Sequence, residues 1–144
     1  MAKLSRTKGR SFEQKIARVF RAIWPEAVVR RSSQADRAHN PDVMIEHGPP
    51  LLQHLWLELN DARQPNPLEK LAQAERDIAA ISQHAGPARF AVVIWHRLAS
   101  RTINVTLRAS VYDSLRGRFH PDLDRTPITL DLDDFLAMLK ARTV

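Results

Sequence analysis

The stretch Leu55–Asn60, which reads LWLELN, has the composition of a strand inside a sheet but carries a carboxylate near its centre. Side chains alternate between two faces along a strand, so the three leucines share one apolar face and Trp56, Glu58 and Asn60 share the other. A carboxylate in apolar surroundings costs several kcal/mol unless a partner compensates for it. We therefore predict that the leucine face is core and that the opposite face is a functional site.

The segments around LWLELN predict a single α/β domain with a central mixed sheet flanked by helices. Apolar residues at helical spacing follow Ser11, the expected N-cap, and Pro25 ends that helix. The order of a strand, a helix that begins at Asn66-Pro67 and a further strand predicts a right-handed crossover to a parallel neighbour. The predicted strands are 27–32, 42–46, 53–60, 89–95 and 102–107, and the later helices are 67 to about 84 and one that Asp131 caps.

Composition and charge limit the classes of protein to which the chain can belong. Its 144 residues, 44% hydrophobic and 26% charged, fit one soluble globular domain over residues 1–144. The absence of cysteine excludes disulfide and thiolate chemistry, and the six histidines lack zinc-ligand spacing. No apolar run could span a bilayer and no signal peptide is recognisable, so no membrane partner is expected. The net charge of +6 fits a protein that meets phosphate, or else a solvated basic surface.

A second carboxylate is expected to lie beside Glu58. The strands that carry Asp42 and Glu58 are joined by a short segment with the sequence Gly-Pro-Pro, which favours an antiparallel hairpin, and Pro50 is the midpoint between the two acidic residues. In an unbulged hairpin their side chains lie opposite each other on one face of the sheet. Two carboxylates so close repel each other unless a cation lies between them, and Mg²⁺ prefers oxygen ligands of this kind. The alternative is a pair of solvated acidic residues at strand ends.

Three features of the sequence resemble the PD-(D/E)XK nuclease superfamily. In that pattern a Pro-Asp opens one strand and Glu-x-Lys lies on the next, which resembles NPDVMI at 40–45 followed by LWLELN. The segment KGRSFEQKIARVF at 8–20 is similar to the first helix of the superfamily's Holliday-junction resolvase branch. The order of elements also agrees with the αβββαβ core of this restriction-endonuclease-like fold. The resemblance covers about residues 8–96 and leaves 97–144 as appended strands and a C-terminal helix.

The resemblance implies a metal-dependent DNA endonuclease that hydrolyses phosphodiester bonds and selects branched DNA. Asp42 and Glu58 would bind Mg²⁺, for which Mn²⁺ can substitute, and the backbone carbonyl of Leu59 would be a further ligand. The ion would polarise the scissile phosphate and lower the pKa of a bound water. Resolvase-like members act as homodimers, and the expected location is the cytoplasm of a bacterium or of a phage-infected host cell.

Asn60 departs from the family pattern, which has lysine at this position. An amide can donate a hydrogen bond, but it carries no charge to offset that of the phosphate. Another cation could take the role, from Lys15, Lys70 or Arg63. Asn60 could also serve as it is. The third alternative is a catalytically impaired or inactive nuclease fold that only binds DNA.

The resemblance implies further site residues. Glu13, near the start of the first helix, would support the metal directly or through water; its alternative is an exposed position favoured by the helix dipole. Gln73 would lie near the active site or, alternatively, on the solvent face of its helix. The residues expected to contact DNA phosphates are Lys8, Arg10, Arg30, Arg31 and Ser33, with Gln73.

A homodimer would need an apolar surface, and the appended region supplies apolar and aromatic residues. They either form an interface between subunits or cover the sheet of their own domain, and we favour the second for the last helix. These residues are Val111, Tyr112, Leu115, Phe119, Leu132, Phe135 and Leu139.

Overall fold

The structure, a computed structural model, describes residues 2–31, 40–81, 89–118 and 124–143, with side chains from Arg10 onward. The described residues form one six-stranded sheet, in which the strands are ordered as they occur along the chain. They are β1 Val28–Arg31, β2 Val43–His47, β3 Leu55–Ala62, β4 Phe90–Arg97, β5 Ile103–Arg108 and β6 Pro127–Asp131. β3 and β4 are parallel, and every other neighbouring pair is antiparallel. The predicted mixed sheet, including its parallel pair, is therefore confirmed.

Five helices accompany this sheet within the described ranges: α1 Ala2–Ile23, α2 Pro50–Gln53, α3 Pro67–Ile81, α4 Ala109–Leu115 and α5 Leu132–Thr143. The Oδ1 atom of Asn66 accepts a hydrogen bond from the backbone N–H of Glu69 at 3.2 Å, which is the expected cap of α3. Asp131 caps α5 in the predicted way, since its Oδ1 accepts from the N–H of Asp133 at 2.8 Å. No described helix is both long and apolar enough to cross a membrane.

Four of the described elements differ from the sequence prediction. α1 begins at Ala2, so Ser11 lies inside the helix and not at its N-cap, because the lysines, arginines and leucine before it also favour helix. α2 lies within the expected hairpin connection, since Pro50 suits the first turn of a helix. α4 has no predicted counterpart. Neither has β6, because Pro127 at its start weakens the strand signal. The predicted end of α3 near His84 lies outside the described residues.

The two faces of the sheet carry separate cores. On one face the leucines of β3 belong to a large core to which α1, α4 and α5 also contribute, with residues that include Phe20, Leu115 and Phe135. On the other face α3 covers a smaller core, which consists of Trp56, Leu71, Ala74, Ala91 and Val93. Trp56, on the face of β3 that was predicted to be a functional site, is buried in this smaller core, so this face is core as well as candidate site.

The apolar residues considered for a dimer interface lie mainly inside the larger core. Leu115, Leu132, Phe135 and Leu139 are buried, and Val111 and Tyr112 pack against the same core. Phe119 lies outside the described residues. These side chains cover the sheet of their own domain, as the second alternative for them states.

A carboxylate on α3 connects that helix to the last two strands. The side chain of Glu75 accepts hydrogen bonds from Arg108 on β5 and from Arg125, which precedes β6, each at 2.9 Å. Burial acts to raise the pKa of Glu75, but the hydrogen bonds and charges of the two arginines outweigh burial and lower it. The ionised carboxylate therefore joins α3 to the part of the sheet farthest from β1.

Gly48, between β2 and α2, has a φ angle of +125°, and a Cβ atom there would lie 2.9 Å from the Cβ of Ala27. Gly48→Ala should therefore lower the free energy of unfolding by about 2 kcal/mol, measured by urea titration. Gly117→Ala is the matched control, because its φ is also positive, at +76°, but its nearest neighbour is the movable end of the Arg142 side chain. If the two variants lose the same amount of stability, the contact with Ala27 is not the main cause of the loss in Gly48→Ala.

Candidate active site

Asp42 and Glu58 face each other at the edge of the β2–β3 pair. Val43 is the register partner of Leu57, so the next pair outward consists of the two acidic residues. The register predicted from the sequence is therefore confirmed, although α2 lies in the connection. The Oδ2 atom of Asp42 accepts a hydrogen bond from the backbone N–H of Leu59 at 2.9 Å, which fixes this carboxylate beside β3.

The environment of Glu58 favours its protonated form. Its side chain is 8% exposed, and burial, the charge of Asp42 and a hydrogen bond with Asp42 together raise the pKa of Glu58 from 4.5 to about 8. The Trp56 indole, which donates from Nε1 to the Oε1 of Glu58 at 3.0 Å, and the charge of Lys70 act in the opposite direction. At pH 7 the Glu58 carboxyl therefore carries a proton, which it can donate to Asp42.

Trp56 shares the predicted site face with Glu58, but the sequence alone gives its side chain no particular role. Its alternation with Glu58 along β3 already places both side chains on one face. What the sequence does not indicate is that the ring is buried while its single donor points at the carboxyl. The indole therefore holds Glu58 in one orientation, because a buried Trp N–H requires an acceptor.

The donors around this pair suit a hard divalent cation. Two carboxylates converge here, and Mg²⁺ usually binds through one or two carboxylates and completes its shell with water and substrate oxygens. The N–H and C=O of one strand residue point to the same edge, so the bond from Leu59 to Asp42 also directs the Leu59 carbonyl toward this pair. Within the described ranges, no group of three or more His, Cys, Asp or Glu side chains is arranged to hold a metal. The fit to Mg²⁺ therefore rests on two carboxylates and one carbonyl.

Glu13 lies on the other side of the sheet. Its side chain is buried, at 9% exposure, and its Oε2 is 3.8 Å from the Nη1 of Arg31. Arg31 is the register partner of Val43, whose side chain belongs to the α1 face, whereas Asp42 and Glu58 project to the α3 face. The alternative of an exposed Glu13 is therefore wrong, and a metal-supporting role for it stays a prediction.

Arg30 and Arg31, the two residues of β1 that are expected to contact DNA, project to opposite faces of the strand, because adjacent strand residues alternate. The Nη1 of Arg30 lies 3.2 Å from the Oε1 of Glu46, and its side chain is 59% exposed. Arg31 is directed toward α1 and Glu13. Only Arg30 therefore lies on the same face of the sheet as the carboxylate pair.

The other residues expected to contact DNA are not gathered at this pair by any recorded contact. Arg10 is exposed on α1, and Gln73 is exposed on α3, as the solvent-face alternative for Gln73 states. The side chain of Lys8 and the whole of Ser33 lie outside the described part of the chain.

Asn60 uses its side chain to hold the start of α3. Its Oδ1 accepts a hydrogen bond from the backbone N–H of Asn66 at 3.2 Å. Among the three cations considered for the missing lysine, Arg63 is exposed and Lys15 acts on His96, on the α1 face. The charge of Lys70 acts on Glu58 itself, so Lys70 is the one of these three whose charge is felt at the carboxylate pair.

His96 belongs to a different arrangement, on the α1 face. Its Nδ1 is 2.9 Å from Asp61 and its Nε2 is 2.7 Å from the carbonyl oxygen of Ser100, and its ring stacks on Phe12 at 6.2 Å. The hydrogen bond with Asp61, followed by that with Ser100, raises the pKa of His96. The His96 ring therefore connects the end of β4 to β3 and to the turn before β5, which is a structural role.

Comparisons with protein-family models, with curated proteins and with solved structures found no match for this chain. The resemblance to the PD-(D/E)XK superfamily therefore stays a prediction, and the function is proposed from the geometry around Asp42 and Glu58.

Proposed function

We propose that this protein is a Mg²⁺-dependent DNA endonuclease of the PD-(D/E)XK type. The observation that carries the proposal is the facing pair of Asp42 and Glu58, of which Glu58 is buried. Two carboxylates in this position are costly to ionise together, and a divalent cation removes that cost. An arrangement that is unfavourable without a counter-charge and suits a hard cation is typical of a functional site.

The chemistry would be hydrolysis of a phosphodiester bond. A bound ion would supply Lewis acidity toward the phosphate and would lower the pKa of a water molecule. Asp42 and Glu58 would hold the ion, and Trp56 keeps the Glu58 carboxyl from rotating away. The Leu59 N–H holds the Asp42 carboxylate at the same edge of β3.

Two coarser features support a nuclease of this class. The order α1, β1, β2, β3, α3, β4 is the αβββαβ order that the resemblance implies, with the single turn of α2 inserted. The net charge of +6 suits a protein that binds a polyanion. The second candidate, an inactive DNA-binding protein of the same fold, is favoured by Asn60, whose oxygen is engaged with α3 and whose side chain carries no charge.

We further propose branched DNA as the substrate and a homodimer as the acting species. A four-way junction presents two equivalent strands, which a two-fold protein matches with one interface used twice. The buried residues of α5 do not supply that interface. The described surface offers the edge strand β1, where Val28 is 42% exposed.

The first experiment combines metal binding with cleavage. Because one proton must leave Glu58 when the ion binds, Mn²⁺ affinity in calorimetry should rise about tenfold from pH 6 to pH 7 and level off above pH 8. Labelled four-way, linear and single-stranded DNA are then incubated with Mg²⁺, and light scattering gives the number of subunits. We expect cleavage of the junction in preference to the duplex.

The possible results separate the candidates. Metal binding and DNA binding without cleavage would establish the inactive DNA-binding protein. A chain that binds no Mn²⁺ at pH 8 would remove the metal site itself. A monomer that cleaves all three DNAs equally would leave a nuclease but remove the resolvase-like substrate and the dimer.

A further inference from the structure

The residue in the motif-lysine position connects the end of β3 to the first turn of α3. The Oδ1 of Asn60 accepts from the N–H of Asn66, and the Oδ1 of Asn66 accepts in turn from the N–H of Glu69, each at 3.2 Å. The first N–H groups of a helix have no partner within the helix, so these two side chains define where α3 begins. The position of the first turn of α3 is therefore fixed relative to β3, the strand that carries Glu58.

Lys70 is the cation that this connection brings to the site. Its backbone N–H donates to the carbonyl of Asn66 at 3.2 Å, so its position follows directly from that of the cap. It precedes Ala74 by four residues, and residues so spaced lie on one face of a helix. Ala74 is fully buried in the core between α3 and the sheet, so the Lys70 side chain starts from the sheet-facing side of α3.

The charge of Lys70 reaches the carboxylate pair. It acts on the Glu58 carboxyl, and Lys70 itself is half-buried. A four-carbon side chain from the first turn of a helix can extend along apolar surface while its ammonium stays near water. A phosphate held by an ion between Asp42 and Glu58 would lie within reach of this group.

We propose that Lys70 is the catalytic cation of this site and that Asn60 is the residue that positions it. The inference rests on the proposed nuclease function and deepens it: the charge that the motif places on β3 is supplied here by α3. Lys70 touches the scissile phosphate or the attacking water, and Asn60 acts through α3. Asn60 therefore does not indicate a lost activity.

The test is a double-mutant cycle on DNA cleavage. Lys70→Ala should lower kcat by about 100-fold, since it removes a charge directed at the transition state. Asn60→Leu should lower kcat by about 10-fold through misplacement of Lys70. If Asn60 acts through Lys70, Asn60→Leu should have no further effect in the Lys70→Ala background. Asn60→Asp, which keeps the acceptor oxygen, should retain most of the activity, and Asn60→Lys with Lys70→Ala should regain part of it.

A second readout does not depend on turnover. If Lys70 contacts a phosphate, Lys70→Ala should reduce the slope of log affinity against log salt by about 0.9 in Ca²⁺, where binding occurs without cleavage. Lys140→Ala is the matched control, because Lys140 is an exposed lysine on α5. This variant loses the same charge and should leave both the salt slope and kcat unchanged.

The outcomes distinguish this inference from the function on which it rests. Cleavage that requires Mg²⁺ and is unaffected by Lys70→Ala would overturn the inference and leave the nuclease. Independent, multiplying effects of Asn60→Leu and Lys70→Ala would overturn the positioning role of Asn60 alone. Absence of both metal binding and cleavage in the parent protein would overturn the nuclease, and the assignment of Lys70 with it.

Discussion

Asp42→Asn should slow Mg²⁺-dependent cleavage of DNA by about 10³-fold or more. The amide keeps an oxygen to accept from the Leu59 N–H, so β3 retains its contact with this residue. What is lost is the negative charge that would hold the ion. Stabilisation of the transition state by such an ion would be worth several kcal/mol, and about 1.4 kcal/mol corresponds to a tenfold change in rate. Single-turnover cleavage of a labelled four-way junction is the measurement.

Asp134→Asn is the matched control for this loss of charge. Asp134 is exposed on α5, so the variant changes the net charge equally without touching the carboxylate pair. Its rate should equal that of the parent. If Asp42→Asn cleaves within a few-fold of the parent while both proteins melt alike, the metal site lies elsewhere on the molecule.

The second large effect concerns stability at alkaline pH. The pKa of Glu58 is raised from 4.5 to about 8 in the folded protein, so the folded state binds the proton more tightly than the unfolded chain. The stabilisation is complete below pH 4.5 and is lost as the pH rises through about 8. The parent should therefore become less stable between pH 6 and pH 9 in the presence of a chelator.

Glu58→Gln should remove most of this dependence. Glutamine keeps an acceptor for the Trp56 indole and offers a donor to Asp42, without a charge at any pH. At pH 9 the variant should exceed the parent by on the order of 3 kcal/mol in urea unfolding. The pKa of His96 is also raised, so the stability that His96 contributes is lost as the pH rises. Both proteins contain His96, and its contribution therefore cancels when their free energies of unfolding are subtracted. Parallel pH profiles for the two proteins would show that Glu58 is not the group that titrates.

The sequence predicts the centre of this sheet well because two local patterns agree there. The apolar alternation of β3 and the short connection before it define which side chains face each other, and the pairing of Asp42 with Glu58 follows. The start of α1 was missed for the opposite reason: helix propensity continues on both sides of Ser11, and no local signal marks a boundary.

The role of Asn60 could not be derived in the same way. A resemblance identifies the position, but the contact with the Asn66 N–H depends on how closely α3 returns to the end of β3. The burial of Trp56 depends on the same approach, since Leu71 and Ala74 of α3 cover it. Spacing along a strand predicts which side chains share a face, but it does not predict what packs on that face.

The two cores differ in size, and this difference should determine which elements of the fold open first. The larger core joins one face of β3 to α1, α4 and α5, whereas α3 is held by a core of five buried residues, by Glu75 and by Asn60. Segments with fewer buried contacts open at lower free energy, so the amides of α3 should exchange with solvent before those of the central strands. Each such opening would withdraw Lys70 from the carboxylates while leaving Asp42 and Glu58 paired on their strands. Local opening and closing of α3 would therefore alternately remove the positive charge of Lys70 from the proposed ion site and return it.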